Sequence, residues 1–184
     1  MSTPDYPEPV TLALAKAHCR IDTTDEDELI EQVYIPAGRE TAEQYTGRTI
    51  RAVPGSETVT RDLFADGRGF VLADFPAFDL ESLKVVDDDT ETVLDIDEYG
   101  ARIVNGEMNA MLVTNKPLPA AQAFYASYTA GYASGTVPAN LVLAMLELTA
   151  DAYENREAQS SSTAMQRNPR TVALLDPFRI TFGL

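Results

Sequence analysis

Two helical blocks, one near each end of the chain, enclose a stretch with the composition of β-strands. The first block spans residues 11–48, and the second spans residues 137–157 with a short continuation over 172–179. Between the blocks, short runs rich in Val, Thr, Ile, Tyr and Phe are separated by Gly, Pro and Asp clusters, which is typical of strands and hairpins. This order predicts an α+β fold. Its helical core, a long N-terminal helix with C-terminal helices, would carry an inserted small antiparallel β-sheet region.

The same pattern predicts three parts of the chain. Residues 1–48 would supply an N-terminal arm and helices of the core, and residues 49–130 the β-rich insertion. Residues 131–184 would supply the C-terminal helices and a docking tail. One helical core would then be formed by both ends of the chain.

The first block contains two predicted helices. Thr11 can cap a short helix, and a longer one follows an acidic turn and stops at Gly47. Pro36 lies inside the longer helix and removes a backbone donor, so we expect a kink there. Helical spacing predicts a buried face on this helix that includes Leu29, Ile30, Val33, Tyr34, Ala37, Thr41, Ala42 and Tyr45.

The middle stretch is expected to contain six strands. They are predicted near residues 57–63, 80–86, 91–94, 101–104, 111–114 and 122–129. The tripeptide Gly67-Arg68-Gly69 is too short for a phosphate-binding loop and is interpreted as a flexible loop tip.

The second block begins at Pro138, a residue suited to the first turn of a helix. Residues 141–146 are apolar on every side, which predicts a helix that is buried all round. It would be either the central helix of its own core or a helix held between its own domain and a neighbouring subunit. In the second case the predicted subunit interface consists of Leu143, Leu146, Tyr153 and Arg156.

The end of the chain alternates apolar and polar residues after a polar, Ser-rich segment at 158–170 that is interpreted as a loop or hinge. Its apolar members are Phe178, Ile180, Phe182 and Leu184. Such alternation at a free terminus indicates docking, either on the protein's own core or on a partner.

The charge of the chain excludes several classes of partner. There are 29 acidic residues against 14 basic ones, a formal net charge of -15, and this field repels nucleic-acid backbones and anionic lipids. The charge would either keep the surface soluble or coat a passage that DNA crosses without binding. No apolar run approaches the roughly 20 residues that span a bilayer, so we expect a soluble protein made in the cytoplasm.

Catalytic chemistry has few candidate residues. His18 and Cys19 are the only histidine and cysteine, and neighbouring helical residues point in different directions, which argues against a nucleophilic pair. Acidic clusters at residues 22–28, 87–89 and 95–98 lack the ligand alternation of a calcium loop. The sequence therefore predicts no enzyme, no metal site and no cofactor.

Two alternatives remain open from the residues alone. A small acidic carbohydrate-active or Ca²⁺-dependent enzyme would depend on acids such as Asp95 or Asp97. A monomeric acidic binding module, similar to a DNA mimic, would present its carboxylates in rows and would not assemble.

Several short motifs, in order, resemble one protein family. At the N-terminal end they are TLALAKAHCRID and the helix that closes with Tyr45-Thr46-Gly47-Arg48. Further on they are YTAGY at residues 128–132, the helix start at Pro138, AYENRE at 152–157 and LLDPFR at 174–179. This order is similar to that of the head-tail connector (adaptor, or head-completion) proteins of tailed bacteriophages, in the larger branch with a β insertion.

The resemblance implies a structural virion protein at the head-tail interface. Such a protein would form a ring, predicted to be a dodecamer, below the portal protein, extend the DNA channel and dock the stopper or tail protein. DNA would pass through the lumen without specific binding. On this interpretation the residues predicted to bind the portal are Leu174, Leu175, Pro177, Phe178, Arg179 and Phe182.

Overall fold

The computed structural model describes residues 6–88, 90–155 and 168–181, and every structural statement below refers to these residues. The chain forms two compact units. The sheet unit comprises residues 1–6 and 51–133, and the helical unit comprises residues 7–50 and 134–184. The division into parts at residues 48/49 and 130/131 stays a prediction about domains.

The sheet unit contains two antiparallel sheets. Strands β1 (Val53–Thr60), β3 (Ala77–Asp87), β4 (Thr90–Leu94) and β7 (Ala123–Ala130) form a four-stranded sheet in the order β1-β7-β3-β4. Strands β2 (Gly69–Val71), β5 (Arg102–Asn105) and β6 (Ala110–Val113) form a three-stranded sheet in the order β2-β6-β5. A helix of one turn, Ile96–Tyr99, lies between β4 and β5 and is numbered α4 in chain order.

The sheet unit has a hydrophobic core of its own. Its fully buried large side chains include Phe70, Leu83, Leu112, Phe124 and Tyr128. The predicted architecture, a helical core with one small inserted sheet, is therefore wrong. The seven strands form two sheets that bury apolar side chains within their own unit, whereas an accessory sheet would take its core from the helices.

Strand β2 was not expected, and Gly69 explains why it forms. The backbone of Gly69 has φ 140°, and a Cβ atom there would lie 2.0 Å from the carbonyl oxygen of Leu112. Only glycine permits this approach between β2 and β6. The interpretation of residues 67–69 as a flexible loop tip is thus wrong for Gly69, which is buried in the sheet.

The helical unit is arranged around one long helix. Its elements are α1 (Leu12–Cys19), α2 (Asp27–Leu29), a π-helical turn (Ile30–Tyr34), α3 (Ile35–Thr46), α5 (Ala139–Glu154), α6 (Pro169–Leu175) and a 3-10 turn (Asp176–Phe178). Helix α5 packs against α1, α3 and α6. Its buried residues are Leu141, Ala144, Met145, Leu146 and Thr149. Contacts within one copy therefore bury one face of α5, which favours the first of the two alternatives, a central core helix. The prediction of a helix buried all round is wrong for Val142 and Leu143, which are half-buried.

The π-helical turn shifts the buried face of the long N-terminal helix. The amide of Ile35 bonds to the carbonyl of Ile30, five residues earlier, so the turn contains one extra residue. Beyond Ile30, the buried positions are Ile35, Gly38, Ala42 and Thr46. The prediction is confirmed for Ile30 and Ala42 and wrong for Leu29, Val33, Ala37 and Thr41, which are exposed.

The same turn accommodates Pro36. Proline cannot donate the backbone hydrogen bond that an α-helix requires, and its ring crowds the carbonyl four residues earlier. The wider turn directly before Pro36 loosens this crowding, and Pro36 then occupies the first turn of α3. The irregularity expected at this proline takes the form of a π turn within a continuing helix.

Candidate partner-binding surface

Four of the predicted portal-binding residues, Leu174, Leu175, Pro177 and Phe178, lie on α6 and the 3-10 turn of the helical unit, and Arg179 follows the turn. Helix α6 is short, and its start is fixed by Asn168, whose Oδ1 accepts the Arg170 amide at 3.0 Å. After Leu175 the chain tightens into the 3-10 turn at Pro177 and then becomes extended at Arg179.

The end of α3 holds the extended segment in place. The Ile180 amide donates to the carbonyl of Thr46 at 2.8 Å, and the Tyr45 hydroxyl hydrogen-bonds to Asp176 Oδ1. Gly47 ends α3 with φ 72°, the left-handed conformation that lets the chain turn away. The C-terminal segment is therefore attached to the helix end by both backbone and side-chain bonds.

Two arginines add cation-π contacts to this attachment. Arg48 Nε donates to the carbonyl of Phe178 at 2.5 Å, and its guanidinium lies 5.9 Å from the centre of the Phe178 ring. The guanidinium of Arg179 lies 5.5 Å from the centre of the Tyr45 ring. Two of the motifs that carry the family resemblance, residues 45–48 and 174–179, thus contact each other directly.

The predicted portal-binding residues differ in exposure. Pro177 and Arg179 are exposed, Leu174 and Phe178 are half-buried, and Leu175 is only 3% exposed. Leu175 therefore anchors α6 to the helical unit. Phe182 lies outside the described residues.

A groove of about 530 Å³ opens beside this segment. It is lined by side chains from α3, α5, α6 and the extended segment, namely Thr41, Gln44, Tyr45, Glu147, Leu148, Asp151, Asn168, Thr171, Val172, Leu175 and Arg179. On the wall of this groove, Glu147 links α5 to α6. Its Oε2 accepts a hydrogen bond from the Thr171 hydroxyl at 2.8 Å, and its Oε1 lies 2.7 Å from Arg170 Nε. The Glu147 side chain is only 10% exposed, and among the described residues its buried Oε1 accepts no hydrogen bond, so the nearby charge of Arg170 is what compensates this oxygen.

Three of the predicted subunit-interface residues, Leu143, Leu146 and Tyr153, lie on α5. Leu146 is buried, Leu143 is half-buried, and Tyr153 donates its hydroxyl to Glu26 Oε2 at 2.7 Å while its ring meets Tyr34 edge-on. Arg156 lies outside the described residues. The role of these four residues at a subunit interface stays a prediction.

A charge network that the sequence analysis missed ties the N-terminal arm to α3. Arg39 Nε donates to Glu8 Oε2 at 2.9 Å, and its Nη1 donates to Glu43 Oε2 at 2.5 Å. Burial lowers the pKa of Arg39, but the carboxylates of Glu43 and Glu8 outweigh it and raise the pKa overall. Glu43 Oε1 also accepts the Ile50 amide at 2.7 Å. The signal in the sequence was Arg39 and Glu43 at helical i, i+4 spacing.

The candidate chemical residues lie in ordinary surroundings. His18 is exposed, and the pKa of the Cys19 thiol is raised by burial and by the charge of Glu154, which disfavours the reactive thiolate. Asp95 caps α4 by accepting the amides of Asp97 and Glu98 at 2.9 and 3.0 Å. Within residues 6–88, 90–155 and 168–181, no group of three or more His, Cys, Asp or Glu side chains is placed to hold a metal ion.

Among the described helices, none has both the length and the apolar composition needed to cross a bilayer.

Comparison with a family model supports the motifs at the N-terminal end. Residues 9–65 match the family described as Phage gp6-like head-tail connector protein. This match confirms the resemblance to head-tail connector proteins that the sequence motifs indicated. No curated protein sequence matches the chain significantly.

Solved structures extend the likeness to the whole fold. The chain is similar to a protein in the neck of an empty gene transfer agent (GTA) particle computed with C6 symmetry, with a TM-score of 0.71 and 20% identity. It is also similar to a protein in the virion of the native particle, with a TM-score of 0.70 and 20% identity. A third similar protein belongs to the neck of the native particle computed with C12 symmetry, with a TM-score of 0.64 and 19% identity. Each likeness covers 100% of this chain and 96% of the other.

Proposed function

We propose that this chain is a structural virion protein of the neck, a head-tail connector that forms a ring below the portal. One combined observation carries the proposal. The N-terminal part matches the connector family, and the entire chain shares its fold with proteins of a virion neck. The ring extends the DNA channel and offers a docking surface to the stopper or tail protein.

The same solved structures support the ring assembly. The neck structures that contain similar folds were computed with C6 and C12 symmetry. A closed ring of either symmetry requires two different surfaces on each copy that fit one another. A dodecamer is the stoichiometry proposed here.

The connector has no catalytic role in this proposal. Thiol chemistry is disfavoured because the pKa of Cys19 is raised, and Asp95 is engaged in capping a helix. The net charge of -15 suits a passage through which DNA moves without binding.

Portal binding is assigned to the C-terminal segment. Pro177 and Arg179 are exposed, and the half-buried Phe178 is held by Arg48. Buried Leu175 and half-buried Leu174 keep α6 in position, and Phe182 follows directly in the sequence. A preorganised segment with a central aromatic residue suits a docking contact, because little conformational entropy is lost on binding.

The overall proposal is tested by cryo-electron microscopy of the neck of the particle that carries this chain. We expect a ring under the portal into which both units fit. A neck whose density accommodates neither unit would overturn the proposal.

The portal contact is tested by replacing Phe178 with Ala. We expect attachment to the purified portal to fall at least about tenfold, as is usual for an aromatic residue at the centre of an interface. Arg102→Ala, an exposed substitution on β5, serves as the control and should bind normally. Unchanged attachment of the Phe178→Ala protein would exclude this segment as the portal contact.

A further inference from the structure

The two edge strands of the four-stranded sheet run in opposite directions. The pairings β1-β7, β7-β3 and β3-β4 are all antiparallel, so β1 runs with β3, and β4 runs with β7. A second copy placed beside the first by a small rotation therefore brings its β1 alongside β4 in the antiparallel sense. Such a head-to-tail contact uses two different surfaces and can close into a ring.

Both edges present backbone groups that are available for pairing, except the Gly55 amide on β1, which donates to Glu81 Oε1 at 3.3 Å. Among the described residues, no backbone hydrogen bond joins the outer side of β1 or β4 to another element. An exposed edge of this kind is a template for pairing with another strand. Two such edges on one sheet are what a continuous sheet between copies requires.

One row of residues crosses the sheet and ends in an exposed valine at each edge. Val59 on β1 pairs with Tyr125, Tyr125 pairs with Lys84, and Lys84 pairs with Val93 on β4. Val59 is 55% exposed and Val93 is 67% exposed. Burying these two side chains against each other would remove apolar surface from water at both edges.

The backbone of both valines points outward. The Val86 carbonyl accepts the Gln122 amide at 3.0 Å, so Val86, and by alternation Lys84, directs its backbone groups toward β7. Lys84 and Tyr125 are therefore a hydrogen-bonded pair. The pairs on either side of it in the row, Val59 with Tyr125 and Lys84 with Val93, are then non-hydrogen-bonded pairs. Val59 and Val93 therefore direct their amide and carbonyl groups away from their own sheet.

The register that this row defines brings together one pair of opposite charges, and it also places Glu57 of the next copy opposite Asp95, a pair of like charges. If Val59 of the next copy lies opposite Val93, antiparallel pairing places its Arg61 opposite Glu91. Arg61 is exposed, and the Glu91 side chain is 63% exposed. A shift by two residues in either direction would place each valine opposite a charged residue, so the Val59-Val93 register is preferred.

We propose that β4 of one copy pairs with β1 of the next, so that the four-stranded sheet continues from subunit to subunit around the ring. This inference rests on the ring assembly proposed above, and it assigns the contact between copies to the sheet unit. The partner is a second copy of this chain.

Cysteine cross-linking tests the pairing directly in the neck of the particle. The double variant Val59→Cys/Val93→Cys, made with Cys19→Ser, is treated with a short bismaleimide and run on a denaturing gel. We expect a ladder of covalent oligomers, whereas each single-cysteine variant should stop at dimers or below. The control pair Val59→Cys/Val104→Cys places the second cysteine on β5 and should give no ladder.

The outcomes separate this inference from the proposed function. Rings in the neck together with the ladder support both. Rings without the ladder overturn the strand pairing and leave the connector role intact. A neck without a ring of this chain overturns the connector role and the strand pairing together.

Charge reversal provides a second test that does not depend on cross-linking. Arg61→Glu and Glu91→Arg should each weaken ring assembly about tenfold, because like charges then face each other across the contact. The double variant should recover most of the loss. Arg61 is exposed, so Arg61→Glu should leave the thermal unfolding midpoint of the chain unchanged. Glu91 lies 3.6 Å from Lys84 of its own copy, and the loss of this partly exposed ion pair should lower the midpoint of Glu91→Arg only slightly. Independent, additive losses in the double variant would overturn the register.

Discussion

At the scale of single residues, Gly38 shows how closely the helices of the helical unit approach. A Cβ atom at this position would lie 2.7 Å from Thr149 Oγ1 and 3.0 Å from the carbonyl oxygen of Met145. The Thr149 hydroxyl already donates to that carbonyl at 2.8 Å, so neither group can move aside without losing a buried bond. Gly38 therefore sets the distance between α3 and α5.

Replacing Gly38 with Ala should destabilise the protein. Alanine favours a helix by about 1 kcal/mol over glycine, but overpacking a close contact costs about 1–3 kcal/mol. We expect a net loss of about 1 kcal/mol in the free energy of unfolding, measured by urea denaturation. In the double variant Gly38→Ala/Thr149→Ala, the loss should be smaller than the sum of the two single losses. A Gly38→Ala protein more stable than the parent would contradict the close approach.

At the scale of elements, the strands could be located from the sequence but their pairing could not. Alternation of apolar residues is local, and all six predicted strands overlap observed ones. Pairing depends on distant residues, as in the hydrogen bond between Thr58 and Tyr128, 70 positions apart. Strand β2 could not be predicted from its own residues. It forms because Gly69 lets the backbone of β6 approach closely, and that approach depends on a strand more than 40 residues away along the chain.

For the helices, too, the sequence predicted the elements but not all of their contacts. The buried face of the long N-terminal helix was placed by a period of 3.6 residues, and one extra residue in the π turn was enough to move it. The candidate surface was located only in part. The motif LLDPFR indicated the C-terminal segment. The contacts of this segment with Tyr45 and Arg48 could not be predicted, because they join residues about 130 positions apart.

The attachment of the C-terminal segment to α3 predicts a local effect of Tyr45→Phe. The change removes the hydrogen bond to Asp176, and bonds to charged groups contribute about 1.5–3 kcal/mol. We expect the amides of Arg179 and Ile180 to exchange with solvent at least about tenfold faster, measured by hydrogen exchange.

The control for this prediction is Tyr153→Phe. It removes a hydroxyl bond of the same kind, to Glu26, at the other end of the helical unit. The amides of Arg179 and Ile180 should then exchange at the parent rate. Faster exchange of these amides in both variants would mean that the segment responds to the stability of the whole unit.

At the scale of the whole molecule, the sheet unit is an insertion whose two ends lie side by side. A Cβ atom on Gly131 would lie 2.4 Å from the carbonyl oxygen of Arg51, and Val53 pairs with Ala130. The segment of residues 51–133 therefore begins and ends at one place in the sheet unit. Removing an insertion of this kind leaves ends that a short linker can join.

Each unit should consequently fold without the other. We expect residues 51–133 to give a cooperatively unfolding β protein, somewhat less stable than in the full chain because the contacts of Tyr6 with Phe78 and Arg51 are lost. The helical unit, with Ile50 joined to Ser134 by about four Gly and Ser residues, should give a helical protein. The far-UV circular dichroism of the two proteins should add up to that of the full chain. An unfolded helical unit beside a folded sheet unit would mean that the two ends of the chain need the sheet unit to form their core.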